Sequence, residues 1–233
     1  MKKLIIGALG LLLLEACSPP QPDMEVRVSI EELKKGKLYL EKVQDSVLVA
    51  IDSTQVNGEE ASFLKADLDH PELFYLALKT KGGNNEDNRI PFFGDYGLVE
   101  INTNLDRFVT DAVVTGSNTH DLYNSYLRIA KRFNEEELEL IAPYFRAQQS
   151  NNSDSLALVE EQSTRLAKRR ILFTVNFAVN NGQSVLAPYL ALTELNDIQP
   201  SLLDTIAKSM TTNIASTSYG KMLNDYVEGL TKC

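Results

Sequence analysis

The spacing of apolar residues changes near residue 117, and this change constrains the fold more than any other feature of the chain. Before it, apolar and polar residues alternate, as at Val26, Val28 and Ile30, which is typical of strands with one buried face. After it, apolar residues recur every three to four positions, as in helices. Strands followed by helices predict an α+β protein rather than an alternating α/β sheet.

Eight segments of the region 24–116 have the composition and periodicity of strands. They cover residues 24–30, 37–43, 46–52, 61–68, 73–79, 90–93, 98–103 and 112–114. Turn-forming pairs separate several of them, among them Lys35-Gly36, Asn57-Gly58 and His70-Pro71. Many short strands at this spacing predict an N-terminal antiparallel β-sandwich or open barrel.

The region 117–233 is predicted to form a C-terminal helical bundle. A buried stripe covers residues 122–133, and Asn134 with Glu137 resembles a capping box that would begin a second helix, running to about Gln149. Pro143 would kink or split that helix. A long helical pattern covers residues 154–179, and shorter ones cover residues 184–195, 201–210 and 218–229.

The N-terminus has the pattern of a secretory signal peptide. Two lysines precede an apolar run of 11 residues, 4–14, and a small residue, Ala16, comes before Cys17. The run is too short to cross a bilayer, which needs about 20 helical residues. We therefore predict that residues 1–16 are removed from the mature protein.

The residues around the cut resemble the lipobox of bacterial lipoproteins, with Leu14 three positions before Cys17, although Glu15 replaces the usual small residue. The resemblance implies that Cys17 carries lipid chains, including palmitate, and is the contact with the membrane. Residues 17–23 are rich in proline and would form a short extended tether. Because Ser18 is not a retention aspartate, we expect the outer membrane, facing the periplasm.

The charge of the chain argues against nucleic acid as a partner. The full sequence has a formal net charge of −9, and removal of Lys2, Lys3 and Glu15 makes the mature charge −10 (21 basic against 31 acidic residues). Such a chain is repelled by phosphate backbones.

The search for catalytic and metal-binding patterns returns no candidate. The two histidines, His70 and His120, lie 50 residues apart, and turn or capping roles are expected for both. There is no Gly-x-Ser-x-Gly elbow, no phosphate loop and no Cys-x-x-Cys motif. We predict no catalytic residue, no metal site and no cofactor.

Three other groups of residues have mainly structural interpretations. Lys168-Arg169-Arg170 is the densest basic cluster, but helix geometry points its side chains in different directions. Glu161 and Arg165 have the spacing of a weak surface ion pair. For a third group, of seven aromatic residues, core packing is the favoured interpretation, with a ligand groove between the β and α parts as the alternative. These residues are Phe92, Phe93, Tyr96, Tyr123, Tyr126, Tyr144 and Phe145.

Cys233 is the one residue besides Cys17 with an open functional interpretation. If Cys17 is acylated, Cys233 has the only free thiol and no internal disulfide can form. It could exchange with a partner thiol or join two copies. An inert terminal thiol is the alternative, because a single cysteine cannot complete a redox cycle within one chain.

Residues 37–127 resemble a known family on several short motifs. These include Ile90-Pro91-Phe92-Phe93, Val114-Thr115-Gly116-Ser117 and the run from Asp121 to Tyr126. They are similar to DUF4369, the domain of unknown function found N-terminal to thioredoxin-like domains in envelope thiol-disulfide oxidoreductases. In such proteins a thioredoxin-like domain with Cys-x-x-Cys follows; here the sequence ends at Cys233, so the resemblance transfers no catalytic residue.

These observations together predict a non-catalytic lipoprotein of the cell envelope that binds a protein or small ligand as an accessory module. One alternative is a redox accessory acting through Cys233 with a separate thioredoxin-like partner. Another is a structural or assembly lipoprotein whose helices pack on an envelope complex.

Overall fold

The computed structural model describes residues 22–81, 89–195 and 198–231. The predicted signal peptide, the predicted lipidation site Cys17, most of the predicted tether and the terminal Cys233 lie outside these ranges. Their predicted roles therefore stay predictions.

Eight strands lie within the described residues, one for each predicted segment. They are β1 (Met24–Glu31), β2 (Gly36–Gln44), β3 (Val47–Val56), β4 (Ser62–Ala66), β5 (Glu72–Lys79), β6 (Arg89–Gly94), β7 (Gly97–Asn104) and β8 (Val113–Thr115). They form two open four-stranded sheets: the first has the order β4-β1-β7-β8 and the second has the order β3-β2-β5-β6. The predicted α+β class, with an N-terminal β part and C-terminal helices, is confirmed.

One pairing differs from the antiparallel arrangement that we predicted. β1 and β7 run parallel, with Met24 opposite Gly97 and Glu31 opposite Asn104. Parallel neighbours need a long connection, and here that connection contains the whole second sheet. Alternation of apolar residues shows which face of a strand is buried but not the direction of its partner.

The core of the β part lies between the two sheets. Along β1, Met24, Val26 and Val28 point inward and are almost completely buried, as their period-two spacing predicts. From the second sheet, Phe74 of β5 and Phe92 of β6 stack with their ring centroids 5.9 Å apart.

The first helix, α1 (Asn118–Gln149), is longer than predicted. The expected second start at Asn134 is wrong, because α1 continues through this residue. The side chain of Asn134 accepts a hydrogen bond from Arg170 at 3.0 Å and caps no helix. The actual N-cap is Ser117, whose hydroxyl accepts from the backbone N–H of His120 at 3.0 Å. Pro143 lies inside α1 without splitting it. Glu139, whose carbonyl loses its helical partner there, is exposed to solvent.

Five further helices follow within the described residues. They are α2 (Ser153–Asn180), α3 (Leu186–Glu194), α4 (Pro200–Ser209), α5 (Thr212–Ala215) and α6 (Ser218–Thr231). α1 and α2 form an antiparallel hairpin, and α2, α3, α4 and α6 enclose a second apolar core. The short helix α5 was not predicted from the sequence; Thr211 caps it by accepting from the N–H of Ile214 at 3.4 Å.

Candidate functional site

A cleft with a basic lining lies at one end of the β part. The loop between β1 and β2, the ends of β3 and β5, and Leu105 after β7 surround a volume of about 740 Å³. We call it the lysine cleft, after the five lysines in its lining: Lys34, Lys35, Lys37, Lys79 and Lys81.

Strand pairing brings these lysines together from two distant segments. β2 and β5 are antiparallel neighbours, and their register places Lys37 directly opposite Lys79. Gly36 allows the close approach of these strands, because a Cβ there would lie 3.1 Å from Leu78 Cδ1 and 3.3 Å from the carbonyl oxygen of Lys79. The lysines of the β1–β2 loop are thereby held beside those at the end of β5.

The charge of the cleft is opposite to that of the whole chain. Among the described residues, its lining contains one acidic residue, Glu32, and none of its five lysines forms an ion pair with another described residue. The ammonium groups of Lys37 and Lys79 each lie 4.8 Å from the centroid of the Tyr39 ring, whose π face offsets part of their repulsion. Like charges opposite each other on paired strands are unfavourable without a compensating group.

Sequence reasoning missed this site, although two short basic segments mark it. The first segment is Lys34-Lys35-Gly36-Lys37 and the second is Lys79-Thr80-Lys81. They lie 42 residues apart (79 − 37), and only the pairing of β2 with β5 makes them neighbours. A search for basic residues at the ends of predicted strands would have found both segments, but not their contact.

The junction between the second sheet and the helices is filled with aromatic side chains, as the core-packing interpretation predicts. Phe93 of β6 meets Tyr123 at 5.2 Å and Tyr189 at 5.0 Å between ring centroids, both edge to face. Tyr126 of α1 is fully buried. Burial strongly raises the pKa of the Tyr189 hydroxyl and raises that of Tyr219 to about 12, so both stay protonated at neutral pH.

Not all the predicted aromatic residues take part in this junction. Phe92 faces the core between the two sheets instead. Tyr96 and Phe145 are exposed at 52% and 56% of their surfaces. Tyr144 packs edge to face against Phe145, with their centroids 5.8 Å apart.

The two histidines have structural contacts at this junction. His70 Nε2 accepts the backbone N–H of Ser218 at 3.3 Å and so caps the start of α6, as a capping role predicts. His120 is buried, and its Nδ1 accepts the N–H of Phe93 at 3.3 Å, a contact that the sequence did not indicate. Burial lowers the pKa of His120, with the Asp121 carboxylate opposing that effect.

The other predicted charge contacts agree with their structural interpretations. Arg169 pairs with Glu136 at 3.0 Å and Arg170 with Glu194 at 3.2 Å, so the cluster at residues 168–170 does not form a single patch. Glu161 and Arg165 form the expected surface pair at 3.7 Å.

The described part of the chain contains neither a cluster of metal ligands nor a helix that could span a membrane. Within residues 22–81, 89–195 and 198–231, no group of three or more histidine, cysteine, aspartate or glutamate residues is placed to hold a metal ion. In the same ranges, no helix combines the length and apolar character that a membrane span requires.

Comparison with known proteins identifies the N-terminal part of the chain. Residues 24–123 match the family model described as "Domain of unknown function (DUF4369)". No curated protein and no solved structure matches the chain. The match begins at the first residue of β1 and ends in the first turns of α1, so it contains both sheets and the lysine cleft. The chain therefore contains a DUF4369-like domain, formed by residues 24–123.

Proposed function

We propose that this protein is a non-catalytic binding module and that the lysine cleft binds an anionic ligand. The proposal is supported by the five lysines that surround this one concave site, on a chain of net charge −9. None of these lysines forms an ion pair with a described residue. Lysine ammonium groups bind phosphate and carboxylate oxygens as point charges. The cleft volume, about 740 Å³, is that of a small-molecule site.

The proposal includes the cellular setting that the N-terminal sequence predicts. Acylation of Cys17 would hold the module on a membrane of the bacterial cell envelope, with the outer membrane as our expectation, through a tether that ends at Asp23. Mass spectrometry of the mature N-terminus tests this part independently, because a diacylglycerol-modified Cys17 has a distinct mass. An unmodified N-terminus, with Met1 retained, would refute the anchor and leave the binding proposal unaffected.

Calorimetric titration with inorganic phosphate and with citrate tests the binding function. The protein is the mature chain with Cys17→Ser, which cannot be acylated at this position, compared with the same chain carrying Lys37→Met and Lys79→Met. Methionine keeps the apolar length of lysine and removes its charge. We expect the double substitution to weaken binding of both anions by roughly tenfold, and 0.5 M NaCl to weaken it in the parent.

Lys168→Met is the matched control, because Lys168 is an exposed lysine on α2, outside the cleft. It should leave the affinity unchanged. Equal affinities in the parent and in the double variant would refute the proposed site.

A further inference from the structure

The floor of the lysine cleft is apolar, in contrast to its rim. Leu33 and Val56 line it and are buried at 7% and 4% exposure, and the half-buried Leu105 lies beside them. Leu33 and Val56 belong to the apolar core between the two sheets, and Leu105 packs against it. A ligand bound to the lysines of the lining can therefore also contact hydrocarbon.

The walls of the cleft are also partly apolar. Each lysine carries four methylene groups below its ammonium, and such stems cover apolar surface while the charge stays in water. The cleft volume of about 740 Å³ is far larger than one phosphate or carboxylate group needs. The space between the charged rim and the floor suits a ligand body that is itself apolar.

We infer that the ligand of the lysine cleft is an amphiphilic anion, with a phosphate or carboxylate head and an alkyl or ring body. The head contacts the ammonium groups of the rim, and the body covers Leu33, Val56 and Leu105. This inference rests on the proposed function, because it concerns the same cleft.

Such a ligand could come from a membrane or from solution, and the position of the cleft favours solution. Asp23 adjoins the start of β1, and the cleft begins with Glu32, directly after its end. A strand of eight residues separates the two points by about 26 Å. With an anchor at Cys17, the cleft lies at the end of the β part away from the anchoring membrane, so the ligand is a dispersed amphiphile.

A series of alkyl phosphates tests the inference on the full mature chain with Cys17→Ser. Inorganic phosphate, butyl phosphate and octyl phosphate, each below its micellar concentration, are titrated by calorimetry, with octyl glucoside as the neutral probe. Each buried methylene should tighten binding roughly threefold to fourfold. Octyl phosphate has four more methylenes than butyl phosphate, so burial of two of them should already tighten its binding about tenfold. We expect octyl glucoside not to bind.

Two pairs of variants test the contacts of the ligand's head and of its body separately. Lys37→Met with Lys79→Met should weaken every phosphate probe, whereas Lys168→Met should weaken none. Leu105→Asn should weaken octyl phosphate but not inorganic phosphate. Leu105→Met, which keeps the floor apolar and controls for folding, should restore octyl phosphate binding.

The outcomes distinguish the inference from the proposed function. Equal affinities for inorganic and octyl phosphate would overturn the amphiphilic ligand and leave anion binding intact. Binding of octyl glucoside as tightly as octyl phosphate, or no binding of any phosphate, would overturn both. Lysine-dependent sedimentation of the unlipidated protein with phosphatidylcholine–phosphatidylglycerol vesicles would overturn the dispersed source in favour of a lipid surface.

Discussion

A buried hydrogen bond between two side chains links helix α1 to helix α2. The hydroxyl of Tyr126 lies 3.0 Å from the hydroxyl of Thr174, and both residues are buried. The hydroxyl of Thr174 also donates to the carbonyl of Arg170 at 3.1 Å, so it keeps one partner if the tyrosine hydroxyl is removed. The contribution of the bond between the two side chains can therefore be measured without leaving an unpaired buried group.

We predict that Tyr126→Phe lowers the free energy of unfolding by about 1 kcal/mol, the usual net contribution of a buried hydrogen bond. Tyr144→Phe is the matched control, because the hydroxyl of Tyr144 accepts only an exposed bond from Gln148 at 3.1 Å. Urea denaturation of the two variants and the parent measures the difference. Equal losses of unfolding free energy in both variants would show that the buried bond stabilises the fold no more than the exposed one.

His120 should make stability depend on pH. Because burial lowers its pKa, the unfolded chain takes up the proton first as the pH falls below about 6.5. The free energy of unfolding then decreases until the pH reaches the pKa of the folded state. Above about pH 6.5 both states are neutral at this residue, and the effect is absent.

His120→Asn should remove this part of the pH dependence, because the asparagine oxygen can still accept the N–H of Phe93 and does not titrate. Urea denaturation at pH 7.5 and pH 5.0 provides the comparison. We expect the parent to lose more stability than the variant between these two values. Parallel losses would mean that His120 takes up its proton equally in the folded and unfolded chains.

At the scale of elements, the connection between β8 and α1 depends on one glycine. Gly116 has φ +86°, and a Cβ there would lie 2.2 Å from the carbonyl oxygen of Leu98 on β7. Gly97 has a similar φ of +97° at the start of β7, but no atom lies within 4 Å of the position of its Cβ. Substitution of Gly97 therefore introduces backbone strain alone, whereas substitution of Gly116 introduces both backbone strain and steric overlap.

We predict that Gly97→Ala costs about 1 kcal/mol of unfolding free energy, from the left-handed backbone alone. Gly116→Ala should cost at least about 2 kcal/mol more, because the overlap with backbone forces β7 and β8 apart. Thermal and urea denaturation of both variants measure this. Comparable losses of unfolding free energy would mean that β7 and β8 accommodate the added methyl group without a measurable cost.

The elements that the sequence could predict are those with a continuous periodic pattern. All eight strands were predicted, but β3 extends to Val56 rather than Asp52. The turn before β3 consists of Asp45 and Ser46, which both have positive φ although neither is a glycine. The break expected in α1 is absent, since the helix continues through Asn134, whose side chain accepts a hydrogen bond from Arg170 on another helix. A contact between two helices of this kind cannot be predicted from neighbouring residues.

At the scale of the whole molecule, the β part has two different ends. One end receives the chain at Asp23, whose carbonyl accepts the N–H of Gly97 at 2.8 Å and whose carboxylate accepts the N–H of Leu68 at 2.9 Å. The other end contains the lysine cleft. Net charge alone argued against nucleic acid as a partner, but a total of −9 conceals a local concentration of lysines that suits smaller anions. That concentration depends on the order of strands in the second sheet, which periodicity does not determine.

The most direct test of the proposed anion site is to observe the lysine side chains during binding. Reductive ¹³C-methylation keeps the charge of each amine and gives every lysine an NMR signal, which single substitutions assign. During titration with octyl phosphate, we predict that the signals of Lys34, Lys35, Lys37, Lys79 and Lys81 shift together. Lys42, which is paired with Glu72 at 2.8 Å, and Lys131 on α1 should stay unchanged. Equal shifts at all lysines, or shifts confined to lysines outside the cleft, would contradict anion binding in the lysine cleft.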